Sequence, residues 1–146
     1  MTHTTPEERD RAAAASQLRH DLITPVNHIL GFTELLIEEA EERGRGHLVD
    51  RLGSVRSLGK QVLEGIDHAL TLASEVGLNA DLAGLGQALL GPCGRITETC
   101  DDIEDSVGQA TDRAFFLGDL AKIRDAAARL AAIAGRLSEP PTPRPD

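Results

Sequence analysis

His20, Asp21 and Thr24 fall within about one turn of a helical pattern, in the run Ser16-Gln17-Leu18-Arg19-His20-Asp21-Leu22-Ile23-Thr24-Pro25. Neutral imidazole is a nucleophile near pH 7. A neighbouring carboxylate can fix its tautomer and accept its proton. A hydroxyl one turn later shares the same helix face and can orient a water against a phosphoryl group. Together these side chains point to group transfer through histidine. A lone surface histidine is ordinarily only a solvated polar residue; the neighbours make this one a candidate. His20 lies two residues from both Leu18 and Leu22, or ~200° round a helix. It is therefore expected on the face opposite the apolar stripe.

The element that must carry these residues opens at Thr5-Pro6, with Glu8 three residues after Thr5. That is a capping box with proline at the first helical position. Ala15, Leu18, Leu22, Val26, Ile29, Thr33, Leu36 and Ala40 then form one amphipathic stripe. Pro25 lies inside it and predicts a local kink. Gly44 and Gly46 mark a turn, and a second stripe follows: Leu48, Leu52, Val55, Leu58, Val62, Ile66, Ala69 and Leu72, fading near Gly77 and Asn79. The short connection predicts antiparallel neighbours. Residues 81–90 read as a short helical pattern stopped at Gly91-Pro92, after which Ile96, Cys100, Ile103, Val107 and Ala110 resume the stripe. The last stripe is Phe116, Leu120, Ile123, Ala126, Ala127, Leu130, Ile133 and Leu137. No run has the period of a strand. Gly53, Gly59 and Gly65 would each weaken the second helix by up to ~1 kcal/mol, which close helix approach would offset.

Pro25 and Pro92 are 67 residues apart. The same offset sets Leu18 on Leu85, Leu22 on Leu89 and Ile29 on Ile96. One further residue of shift sets Leu48 on Phe116, Leu52 on Leu120, Arg56 on Arg124 and Val62 on Leu130. The chain reads as a diverged duplication of one helical hairpin. The expected fold is all-α: a four-helix bundle over 5–138, made of antiparallel hairpins at 5–78 and 80–138, followed by a proline-rich, disordered tail at 139–146.

The run His20-Asp21-Leu22-Ile23-Thr24-Pro25-Val26, with Ile29, Gly31 and Glu34-Leu35-Leu36 at fixed spacing, resembles the H-box of the HisKA-type dimerisation and phosphoacceptor domain of histidine kinases. Val62-Leu63-Glu64-Gly65-Ile66-Asp67-His68-Ala69-Leu70 resembles the segment that closes such hairpins. The resemblance spans about residues 10–77 and reaches 85–137 only through the repeat. It implies that His20 is phosphorylated as a phosphoramidate, that Asp21 is the base or orienting acid, and that Thr24 serves dephosphorylation. Ile23 departs from the pattern, which carries Lys or Arg there. In the second half, Gln87, Ala88 and Gly91 replace His20, Asp21 and Thr24, so that half reads as a structural partner.

The resemblance implies histidine phosphotransfer in a bacterial two-component phosphorelay, with a response-regulator receiver domain or a histidine kinase as partner. The alternative is a non-catalytic, kinase-like docking module that regulates such a partner; a weaker one is a bundle that serves oligomerisation alone. No strand pattern and no glycine-rich phosphate loop occurs, so this chain is not expected to phosphorylate itself from ATP, and no cofactor is expected. With four stripes in one chain, a monomer is expected and a homodimer is the alternative.

Composition narrows the classes further. The 146 residues include 24 acidic against 15 basic, a net charge of −9. Nucleic acid and anionic membrane surfaces attract the opposite sign. Aromatics are 2% of the chain, with no Trp or Tyr, which leaves few faces for stacking bases or sugars. No run approaches the ~20 apolar residues of a membrane span, and the N-terminus lacks a secretory apolar region. Cys93 and Cys100 are seven residues apart, ~10 Å along a helix, too far to bridge; they are expected as small core residues. A reduced, cytoplasmic setting follows. His3, His28, His47 and His68 show no metal-ligand spacing, so no metal site is expected. The run Glu38-Glu39-Ala40-Glu41-Glu42 reads as a solvated helix end.

Overall fold

The computed structural model describes residues 5–76 and 82–138, with the side chains of Arg11 and of 72–76 left aside. The 77–81 connection, the side chain of Leu72 and the 139–146 tail lie outside the described residues. Four helices account for the fold: α1 (Pro6–Glu42), α2 (Gly46–Val76), α3 (Leu82–Val107) and α4 (Arg113–Ser138). No strand occurs among the described residues. The chain is an all-α four-helix bundle. Each helix packs on two others, α1 on α2 and α4, and α3 on α2 and α4, and among the described residues the diagonal backbones stay apart.

The start of α1 follows from its first residues. The Glu8 amide donates to Thr5 Oγ1 at 3.1 Å and the Thr5 amide donates to Glu8 Oε2 at 3.4 Å, satisfying two otherwise orphaned donors. Gly44, at φ +69°, makes the turn after α1, a conformation that favours glycine. The stripes become the core. Leu22, Ile29, Leu36, Leu48, Leu52, Ile66, Ile96, Ile103, Phe116, Leu120 and Ile123 are fully buried. Thr33 is buried as well, its hydroxyl donating to the Ile29 carbonyl at 2.5 Å.

Two apolar clusters divide the bundle along its length. One holds Ile29, Leu36, Leu48, Ile103, Phe116 and Ile123, at the end bearing both hairpin turns. The other holds Leu22, Val26, Ile66, Leu85, Cys93 and Leu130, at the open end. At the turn end, Asp112 is nearly buried and accepts from Arg45 Nη2 at 2.5 Å. That ion pair ties the α1–α2 turn to the start of α4.

Three features differ from the sequence-based expectation. The third element does not stop at Gly91-Pro92: α3 runs unbroken through it, as α1 does through Pro25. A proline forgoes one backbone bond, and here Leu85, Leu89, Cys93 and Ile96, all buried on one face, hold the helix together across the gap. Of the three glycines on α2, only Gly59 sits at a close approach, where a Cβ would lie 2.8 Å from Leu30 Cδ2; Gly53 and Gly65 face open space. The tightest contact is at Gly86 instead, where a Cβ would meet the Ala134 carbonyl oxygen at 2.5 Å and the Ser138 amide at 2.8 Å.

Candidate functional site

The site lies on α1 above the open-end cluster. Leu22 and Val26 are buried there and fix the rotation of the helix. His20, two residues back from Leu22, is thereby turned to solvent with its side chain 75% exposed. Asp21 Oδ1 lies 3.7 Å from His20 Nδ1 and accepts from Gln17 Nε2 at 2.9 Å. Gln17, one turn back, thus holds the carboxylate beside the Nδ1 edge of the ring. That leaves Nε2 as the outward nitrogen. The Thr24 hydroxyl donates to the His20 carbonyl at 2.8 Å, so its proton is engaged by its own helix and its lone pairs remain to accept. His20, Asp21 and Thr24 are therefore brought together as their spacing predicted.

Across from them stands α4. His20, Asp21, Thr24 and Pro25 form one wall of a groove of about 400 Å³, and Arg129, Ile133 and Arg136 form the other. Pro25 is buried within this wall. On the opposite flank of α1, Arg19 is ion-paired with Asp67 of α2, which clamps the helix next to His20. Ile23, at the position where the phosphoacceptor motif carries a basic residue, packs on the open-end core cluster. A separate hollow of about 180 Å³ lies beyond Arg129, lined by His28, Phe32, Lys122, Asp125 and Arg129. There Lys122 Nζ stands 5.0 Å from the centre of the Phe32 ring.

Arg129 and Arg136 were not singled out by the sequence. Their signal was present: Lys122, Arg129 and Arg136 recur every seven residues on α4, a spacing that keeps side chains near one helix face. What the sequence lacks is the knowledge that this face meets α1. Gln17 was equally silent, since its role depends on the Asp21 rotamer.

The remaining candidates stay in the background. Cys93 and Cys100 are free and buried, and burial pushes both thiols up to about 11. Among the described residues, no three His, Cys, Asp or Glu side chains converge as metal ligands, and no helix is long and apolar enough to cross a membrane. No family model, no curated protein and no solved structure matches the chain.

Proposed function

We propose that this protein is a histidine-containing phosphotransfer protein, related in design to the phosphoacceptor hairpin of histidine kinases, and that His20 takes and passes a phosphoryl group. The observation that carries the reading is the exposed His20 imidazole, backed by the Gln17-oriented Asp21 carboxylate, on the wall of an open groove. In the step, the Nε2 lone pair attacks the phosphorus of an aspartyl phosphate on a receiver domain. The N–P bond forms as the P–O bond to the receiver breaks, and the electron pair leaves with the receiver carboxylate. Asp21 stabilises the charge that develops on the ring through the Nδ1–H. The reverse step returns the phosphoryl group to a second carboxylate.

The two halves divide the work in this reading. At the duplication offset, a second groove of about 240 Å³ between α2 and α3 is lined by Gln61, Gly65, Ala88 and Pro92. It has the matching proline but neither the nucleophile nor its acid. The second hairpin then serves to bury the first, and one chain acts as a cytoplasmic monomer with a single active face. The test is incubation with phosphorylated receiver domains. Acid-labile label on the parent protein and none on His20→Gln is the expected result; equal labelling of both proteins would end the proposal.

A further inference from the structure

We infer that Arg129 and Arg136 form an oxyanion clamp, so that the α1/α4 groove binds the phosphoryl group that His20 accepts. This rests on the phosphotransfer reading above and names what that site binds besides the nucleophile. Both guanidinium-bearing residues line the same groove as His20, Asp21 and Thr24. They lie seven residues apart on α4, ~10 Å along its axis. The facing His20–Thr24 segment is ~6 Å long, within the span of the two arginines along the same groove.

Their charges are also uncommitted. Arg19, Arg43, Arg45, Arg113 and Arg124 each pair with a carboxylate. Among the described residues, Arg129 and Arg136 make no hydrogen bond and no ion pair. Asp125 lies one turn from Arg129 on α4 and borders the adjoining hollow with it, yet the two are not joined. In a chain of net charge −9, two unpaired guanidinium groups against the single Asp21 carboxylate leave this groove locally positive. A phosphoryl group brings close to two negative charges and three acceptor oxygens. The guanidinium fork matches such oxygens in a bidentate geometry.

The duplicated half supplies an internal comparison. At the α4-to-α2 offset of 68 residues, Gln61 and His68 stand where Arg129 and Arg136 stand, and Gln87 stands where His20 does. The α2/α3 groove, which has no nucleophile, has no arginine in its lining either. In the transfer step the clamp neutralises charge on the equatorial oxygens and moves no proton. The N–P bond forms at His20 Nε2, and the donor leaves with the electron pair of the broken bond.

The test uses two probes on the full chain. Phosphoramidate, a small donor that loses ammonia, reports labelling of His20 without any protein partner. Inorganic phosphate reports occupancy of the clamp through the NMR signals of the arginine side chains. Each hydrogen bond to a charged group is worth enough to change labelling roughly tenfold. Arg129→Gln and Arg136→Gln should therefore each slow labelling by about that factor, with partial recovery in Arg129→Lys. Arg95→Gln, the same charge change on the exposed face of α3, should label at the parent rate. Inorganic phosphate should shift the Arg129 and Arg136 signals in the parent.

Unchanged labelling in both glutamine variants, an equal loss in Arg95→Gln, or no phosphate-dependent shift in the parent would overturn the clamp. A parent that shows those shifts but never labels His20 would retain the anion site and remove the phosphotransfer reading on which its role depends.

Discussion

Truncating His20 removes no packing, because three quarters of the side chain is exposed and the buried neighbours are Leu22 and Val26. Exposed substitutions of this kind change stability by about 0.5 kcal/mol or less. His20→Gln should melt with the parent in a thermal scan while losing phosphoryl uptake. The cysteines give a residue-scale test with a pH axis. Burial raises both thiols from an ordinary 9.0 to about 11. The folded state then holds its protons more tightly than the unfolded chain does. Below pH 9 both states are protonated and these groups add no pH dependence. As pH rises from 9 to about 11 the unfolded chain ionises first and stability falls. Denaturant titrations should show that loss in the parent and a smaller one in Cys93→Ala, and thiol reagents at pH 8 should react slowly until the protein is unfolded.

At the scale of elements, two glycines should respond with opposite signs. Gly86→Ala drives a methyl against the Ala134 carbonyl and the Ser138 amide, both backbone. Separating α3 from α4 to make room costs about 1–3 kcal/mol. Gly53→Ala meets nothing within 4 Å and removes a flexible residue from the interior of α2, a gain of about 1 kcal/mol. Chemical denaturation of both variants checks the pair. The helices themselves were legible in the sequence, because each stripe has one period and each is buried. The run of α3 through Gly91-Pro92 was not. Local chemistry argues for a stop there, and only the burial of Leu89 and Cys93 against neighbouring helices overrides it. Gly86 was hidden for the same reason: its partner is backbone from a helix some fifty residues away in the chain, about which local pattern says nothing. The site divided along that line too. His20, Asp21 and Thr24 share one helix and could be read from spacing. Arg129 and Arg136 enter from α4, and which α4 face meets α1 is a property of the packed bundle.

Taken whole, the described residues of all four helices bury their apolar faces within one chain, with each helix packed on two neighbours. On the phosphotransfer reading, a bundle closed in this way works as a single chain. Sedimentation should therefore report a monomer across the micromolar range, and a tight dimer persisting to nanomolar protein would contradict the single-chain bundle as the functional unit. The same closure separates transfer from docking. A module that only docks a partner keeps its fold and its biological activity in His20→Gln, whereas phosphotransfer loses all activity with its nucleophile. The isolated chain should take no label from ATP, since its sequence carries no glycine-rich phosphate loop.

The most direct measurement is phosphorus NMR on the parent protein after exposure to a phosphorylated receiver domain, with the ring nitrogens of His20 observed in the same sample. One phosphoramidate resonance is expected, lost on acidification, with the His20 Nε2 signal shifted and the other histidines unmoved. A phosphoryl group found on a carboxylate, on His28 or His68, or not transferred at all by any receiver would contradict it.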